Sequence, residues 1–461
     1  MMKYFIMYVL LCCYLLRPCF AQETQLMFTL DEAKTYALEH NKTLKNANSD
    51  IQIANMQIKQ AVGSGLPQVS ATLDYMTNFN YEFVFAMGGS SEPPQINYSL
   101  LDAGDIEVLK AIGEMFGSSE GSTIVMEDQA NATFQVTQLL FSGQYWIGLQ
   151  LAKIARKIAE KNLTLTTLDV KENVINNYYL ILVTQELIRI VDENYKNVSD
   201  ILMHTTNMYE AGLAEQTDVD QLSITLSQLH NTKNVMERNL QLSYNMFRMI
   251  LGLDTSQEII LSENLIFIVE KIVNEKLFEN NLNLADNPTY QIVSIQEEIS
   301  QKNVELQKWS YAPTLAGFYS YKEKILETSF DLSPKNAAGL NLSVPIFSGG
   351  TKRAQVSKAK IELDKMNRTK ELLEDQLSLQ DKQLSFELKN AFENYQTQKE
   401  NVKVAKRVYS SINNKYKQGI VSSLDLTQAN SNYLQAENNY LTSILDLLQS
   451  KLKMDKLYNK L

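Results

Sequence analysis

The chain has 461 residues, of which 17 are glycine and 8 proline, and its 53 acidic and 43 basic side chains leave a formal net charge of −10. That balance excludes the broad basic footprint a nucleic-acid binder needs. The scarcity of Gly and Pro argues against the row of compact domains that length alone suggests.

Residues 1–21 read "MMKYFIMYVLLCCYLLRPCFA". Lys3 precedes an apolar run from Tyr4 to Leu16, and small residues follow at Cys19 and Ala21. This predicts a secretory signal peptide cleaved after Ala21. The apolar run is too short for a confident membrane span, and Arg17 and Pro18 do not suit a lipoprotein site at Cys19. Cys12, Cys13 and Cys19 are the only cysteines. The processed chain therefore has no thiol, no disulfide and no Cys–metal site, which suits an oxidising compartment. Processing also removes Lys3 and Arg17 but no acid, so the rest is more acidic still. No later stretch is long and apolar enough to cross a bilayer as a helix, so any membrane contact must be made with strands.

A helical pattern opens at "FTLDEAKTYALEHN" from Phe28. "QVSATLDY" then alternates Val69, Ala71, Leu73 and Tyr75 with polar neighbours, the period of a strand. Residues 79–130 are expected to form a long loop, with "GGSSEPP", "GSSEGS" and a short amphipathic helix at "DIEVLKAIGEMF". "NATFQVTQLLF" is a second strand, with Ala132, Phe134, Val136 and Leu140 on one face. Residues 149–211 then contain neither Gly nor Pro. As one helix they reach roughly 95 Å, so the chain reads as elongated. Val174, Ile181, Ile188, Tyr195 and Leu202 recur every seventh residue, the mark of left-handed supercoiling. The run ends at "YEAGLAEQTDVDQL", and another helix follows.

The same order is then written again. Asn41 has a counterpart in Asn287, and "LPQVSATLDY" in "APTLAGFYSY", both 246 residues on. "QLLFSGQ" matches "VPIFSGG" at an offset of 206, and the turn matches "YKQGIVSSLDLTQA" at 207. The drop in offset assigns about 40 extra residues to the first loop. Leu315, Tyr319 and Tyr321 mark a third strand, and Leu340, Leu342, Val344 and Ile346 a fourth. Leu388, Tyr395, Val402, Tyr409 and Tyr416 carry a second heptad seam. The chain is thus a tandem duplication of helix, strand pair, long helix, turn and helix. Its repeats are expected over 22–265 and 266–461.

Each strand is about as long as a tilted strand crossing a bilayer. Four strands cannot close a barrel, and open edges are not tolerated in lipid. Either the strands lie outside a membrane or several chains share one barrel. Catalysis has no visible basis. His40, His204 and His230 are the only histidines. None has a metal-ligand spacing, and no P-loop, GxSxG, CxxC or dinucleotide-binding glycine pattern occurs. No cofactor is implied. A pore-less periplasmic coiled-coil adaptor or scaffold is the alternative to a channel.

The "FTLDEAKTYALEHN" opening, the "LP" before a strand, "FSGG" before a long helix and the duplicated Tyr–x–x–Gly–apolar–(x)₄–Asp turns together resemble the TolC-like outer membrane efflux family. The resemblance covers residues from about Phe28 to Leu457. It implies a mainly α protein with a membrane β-barrel portion. Three chains share a twelve-stranded barrel in outer-membrane lipid, and their long helices form a trimeric α-barrel. The implied partners are two further copies of the chain, a periplasmic adaptor and an inner-membrane transporter, with no nucleic acid. The turns are implied to lie at the periplasmic tips of the helical hairpins. Gly212, Leu213, Gly419 and Ile420 would receive the adaptor. Asp218, Asp220, Tyr416 and Asp425 would form the gate, with Tyr416 bonding across to the first turn's Asp. Gly212 and Gly419 also read as plain helix C-caps, and Asp218 and Asp425 as first-turn acids favoured by the helix dipole. Thr217 or Ser423 is a candidate N-cap. The chain departs from the family at Val421–Ser423, where an Arg is often found and none stands here. Lys415 or Lys417 could stand in.

Overall fold

The computed structural model describes residues 26–79, 81–85, 102–115, 122–274, 282–326 and 333–461. The expected signal peptide and much of the expected 79–130 loop lie outside the described residues. In chain order the elements are β1 (Leu26–Phe28), α1 (Leu30–His40), α2 (Lys42–Gly63), β2 (Gln68–Met76), β3 (Tyr81–Phe85) and α3 (Ala103–Met115). Then come β4 (Ser122–Met126), β5 (Gln129–Phe141), α4 (Gly143–Glu210), α5 (Gln216–Leu251), β6 (Ile259–Leu261) and α6 (Leu265–Asn274). The last are α7 (Pro288–Trp309), β7 (Thr314–Leu326), β8 (Asn336–Ser343), α8 (Thr351–Lys417) and α9 (Ser423–Leu457). None of the described helices is long and apolar enough to cross a membrane.

The chain forms two compact units, and each draws residues from both sequence halves. One comprises residues 56–152 and 302–360. Its centre is a four-stranded antiparallel sheet in the order β2-β5-β7-β8. The registers line up one face across all four strands. Val69 faces Val136, which faces Tyr319, which faces Ala338. Ala71, Phe134 and Tyr321 form the adjacent row, and Gly317 faces Leu340 on the same side. The other face holds Gln68 opposite Thr137, and Ser70 opposite Gln135 and Ser320. The apolar face is bare: Val69, Leu73 and Leu340 are 74%, 72% and 71% exposed. Two details differ from expectation. The fourth strand ends at Ser343, so Val344 and Ile346 lie beyond it. The pair β3–β4 forms a second antiparallel sheet inside the region expected to be loop, and α3 fills the place of the expected amphipathic helix.

The other unit comprises residues 1–55, 153–301 and 361–461. Its entry is set by Thr29, which caps α1. The Glu32 N–H reaches Thr29 Oγ1 at 3.3 Å while the Thr29 N–H returns a bond to Glu32 Oε2 at 2.8 Å, the reciprocal capping box. The core follows the heptads. Val174, Ile181 and Leu388 are fully buried, beside Tyr178, Phe247, Ile444 and Leu447. A second cluster lies nearer the helix ends, with Val191, Val198, Leu222, Tyr409 and Leu426 at its centre.

The duplication is visible at two buried asparagines. Asn41 Nδ2 donates to Ile250 O at 2.7 Å, and its Oδ1 accepts from the N–H groups of Thr43 and Leu44 at 2.8 and 3.2 Å. Asn287 Nδ2 donates to Leu457 O at 3.1 Å, and its Oδ1 accepts from Thr289 and Tyr290 at 3.0 and 3.2 Å. Each side chain starts one helix and fastens the end of another, so each satisfies end groups that no helix can satisfy alone.

Candidate functional site

Both conspicuous turns solve the same backbone problem. Helix α4 must stop and reverse into α5, and α8 into α9. In each case a glycine in the left-handed region closes the helix, Gly212 at φ 75° and Gly419 at φ 72°. The Gly212 and Leu213 N–H groups return to Tyr209 O and Met208 O at 2.9 and 2.8 Å. Those of Gly419 and Ile420 return to Tyr416 O and Lys415 O at 2.8 and 3.0 Å. This pair of bonds is the Schellman motif, which ordinarily tucks the residue after glycine against its own helix. Here Leu213 and Ile420 are 74% and 65% exposed instead. A Cβ built on either glycine meets nothing within 4 Å. Both tips are therefore open surfaces ending in an apolar side chain.

The outgoing helices start with acids at their third position. The N-caps are Glu215 and Ser422, one or two residues earlier than the expected Thr217 and Ser423. Asp425 Oδ2 accepts from Ser422 Oγ at 2.7 Å and from the Ser422 N–H at 3.1 Å, while Ser422 Oγ accepts the Asp425 N–H at 3.2 Å. The two bonds from Ser422, hydroxyl first, hold the Asp425 carboxyl below its ordinary range. Asp218 Oδ2 accepts the Glu215 N–H at 3.2 Å. Its other oxygen, Oδ1, accepts the hydroxyl of Ser423, 205 residues away in sequence. Asp218 thereby ties the first turn to the second. Asp220 is exposed and accepts from Gln216 Nε2 at 2.9 Å.

Tyr416 does not bond across to Asp218. Its ring is buried in the second core cluster, and its hydroxyl lies 2.6 Å from Thr205 Oγ1. Thr205 spends its own proton on Ile201 O at 2.8 Å, so Tyr416 is the donor. Among the described residues no Lys or Arg comes within 4.0 Å of a carboxylate oxygen of Asp218 or Asp425, so neither Lys415 nor Lys417 takes the place of the missing Arg. The link between the two turns is instead the neutral hydroxyl bond from Ser423 to Asp218. The structure thus brings Asp218, Ser423 and Asp425 to one end of the hairpins, holds Tyr416 inside through Thr205, and leaves both glycine–apolar pairs on the outside. Ser423 and Thr205 carried no sequence signal for these bonds, because their partners are over two hundred residues distant. The second cap was expected at Ser423; the Ser–x–x–Asp spacing of Ser422 and Asp425 is the signal that finds it.

The profile of the family described as "Outer membrane efflux protein" matches residues 35–253 and 281–460. The outer membrane protein TolC of Vibrio cholerae is 23% identical over 234 residues, which cover 48% of this chain and 52% of that protein. TolC of Salmonella enteritidis is 23% identical over 257 residues, covering 51% and 50%. The chain therefore matches about half the length of these relatives. Among solved structures, the CmeC outer membrane channel of Campylobacter jejuni superposes with a TM-score of 0.71 at 15% identity, over 94% of this chain and 85% of that one. VceC of Vibrio cholerae gives 0.67 at 15%, over 93% and 95%. At such identities the likeness to these structures is one of fold. The family profile covers both halves and both turns, and the chain belongs to the outer membrane efflux protein family.

Proposed function

We propose that this outer-membrane protein is one protomer of a homotrimeric exit duct. It receives cargo from an inner-membrane transporter through a periplasmic adaptor and releases it outside the cell. One observation carries the reading. The four-stranded sheet carries an exposed apolar stripe from Val69 and Ala71 through Phe134, Val136 and Tyr319 to Leu340, and its edge strands β2 and β8 pair with no further strand among the described residues. Such a sheet meets the rules of a bilayer only when copies join edge to edge. Three copies give twelve strands, an even number suited to an outer-membrane barrel. A pore-less scaffold leaves that face without a partner. Residues 22–265 and 266–461 are taken as the two repeats, and the chain works as a conduit with no chemistry of its own.

Within this reading Gly212–Leu213 and Gly419–Ile420 are the contacts for the adaptor, because they are open, apolar and free of bulk. Asp218, Asp220 and Asp425 line the entrance with acid. Tyr416 and Ser423 hold the two hairpins of one chain together. The test is fractionation followed by planar-bilayer recording. The expected result is a trimer in the outer-membrane fraction that conducts ions and prefers cations. The Asp218→Ala/Asp425→Ala variant is expected to leak more and to lose the preference. Recovery as a soluble periplasmic monomer overturns the duct.

A further inference from the structure

The four helix junctions of the sheet lie at one end of it. The pairs Gln68–Thr137, Phe141–Leu315 and Thr314–Ser343 set the start of β2, the end of β5, the start of β7 and the end of β8 side by side. The connection from β2 to β5 leaves from the other end, where Met76 pairs with Gln129. Charge separates the two ends, and both belong to the unit of residues 56–152 and 302–360. The junction segments 56–67, 142–152, 302–313 and 344–360 hold seven Lys or Arg and one acid, Glu305, while residues 77–128 hold nine acids and one Lys. A chain of net charge −10 thus keeps a basic end on this sheet. The one acid there is spent on Lys302 at 2.8 Å. Lys59, Lys308, Arg353 and Lys360 are exposed, and among the described residues none of them has a carboxylate oxygen within 4.0 Å.

The same end carries apolar anchors. Trp146 and Trp309 are the only tryptophans of the chain, and both are exposed here, in the first turn of α4 and at the last residue of α7. Trp309 lies flat on Gly143, where a Cβ would come within 2.1 Å of its ring. Lys352 donates to Ser310 O, with its Nζ 5.6 Å from the ring of exposed Tyr311. The Tyr145 hydroxyl donates to Val62 O at 3.3 Å, and Gln138 Nε2 to Gly65 O at 2.6 Å. The junctions are therefore tied to one another and hold their side chains in place. Past the end of β8, Ile346 and Phe347 are 94% and 89% exposed. Tryptophan, tyrosine and long cationic side chains share a preference for the boundary between hydrocarbon and headgroups.

We propose, on the reading of the sheet as a membrane span, that this belt selects phospholipids with an anionic headgroup, such as phosphatidylglycerol, in the leaflet at the helix end. The tryptophans and Phe347 meet the acyl chains, and Lys59, Lys308, Arg353 and Lys360 take the headgroups. Arg353 and Lys360 stand seven residues apart on one side of α8, about 10 Å, so they serve adjacent lipids. A zwitterionic headgroup brings its own ammonium, which competes with these cations for the phosphate, whereas an anionic one leaves its charge to them. A soluble anion has no acyl chain to cover Ile346 and Phe347, so the lipid is the occupant that answers both halves of the belt.

Because both tryptophans sit in the belt, their emission reports what touches it. The full-length processed protein in dodecyl maltoside is titrated with phosphatidylglycerol or with phosphatidylcholine, each brominated on the acyl chains, and quenching is followed. Cross-linking of the same samples reports trimers. The expected result is quenching by phosphatidylglycerol with at least about fivefold higher affinity, a difference that about 1 M salt largely removes. Arg353→Gln/Lys360→Gln should bring phosphatidylglycerol close to phosphatidylcholine and leave quenching by the latter unchanged. Equal affinity of the two lipids for the unaltered protein overturns the proposal, and so does an undiminished preference in the double variant. Quenching by neither lipid in a sample that cross-links as trimers assigns the belt to contact between copies, which overturns lipid docking and leaves the duct standing. The expected preference in a sample without trimers supports the belt and counts against the duct alone.

Discussion

At the scale of single residues, the tips separate backbone need from contact. Gly419→Ala places a Cβ in open space, so its only cost is the left-handed conformation, about 1–2 kcal/mol. The expected outcome is a slightly lower thermal midpoint with trimer assembly intact, and Gly419→Asn should recover part of the loss. A bulky charged residue at either Gly212 or Gly419 should instead abolish export from cells while trimers still form, because it changes what a partner meets. Normal export in both variants removes these glycines from the docking surface. Ser423→Ala should raise resting conductance in planar bilayers, since it frees Asp218 from the second hairpin. Acid should have a related effect on the hairpins. Asp192 is held down to about 2 by hydrogen bonds from Lys196 and then Lys233, and Asp425 is lowered by Ser422. A carboxyl with a lowered folded pKa stabilises the fold fully above its ordinary 3.8 and loses that contribution as pH falls through the lowered value. Helicity of the α4–α5 hairpin should therefore decline between pH 3.8 and about 2, and Asp192→Asn should flatten that decline in circular dichroism. The glycines and acids of the turns were legible because the turn is written twice. The Ser423–Asp218 bond was not, since a hydroxyl has no spacing rule that reaches across two hundred residues.

At the scale of elements, alternation and heptads predicted the strands and long helices closely, because each pattern is the footprint of a buried or lipid-facing side. The second strand illustrates this. Ala132, Phe134 and Val136 do share a face with their neighbours in β2 and β7. Substitution should expose the difference between faces. Leu73→Arg puts a charge on the apolar face at a cost of about 2–4 kcal/mol if it lies near mid-membrane. It should lower the temperature at which trimers dissociate on a gel, whereas Thr72→Arg, one residue away on the polar face, should change it little. What alternation missed was where β8 stops and that β3 pairs with β4, since hairpin partners within a long insertion are set by turn geometry rather than by a buried face. The matched asparagines were noticed as landmarks, but their purpose was not legible. Asn41→Ala should cost about 1–3 kcal/mol in chemical denaturation by orphaning Ile250 O and the first amides of α2. Asn287→Ala should cost a similar amount, because its set of bonds is equivalent.

At the scale of the whole molecule, tandem duplication in sequence does not produce two side-by-side bodies. Each compact unit takes residues from both halves. Strand β5 is paired on one side by β2 of its own half and on the other by β7 of the second. A fragment of residues 22–265 should therefore fail to give protease-resistant protein, and co-expression with residues 266–461 should restore it. Independent folding of the first fragment contradicts the interleaving. The same pairing also sets an order in time. While the chain is being exported from its N-terminus, β2 and β5 emerge long before β7, and loop closure over such a separation is slow. For that interval the hairpin shows water its apolar side and both of its open edges, the combination most prone to aggregation. The cell must therefore shelter this half-finished sheet until the rest of the chain arrives, and the wait grows with any slowing of synthesis between Phe141 and Thr314.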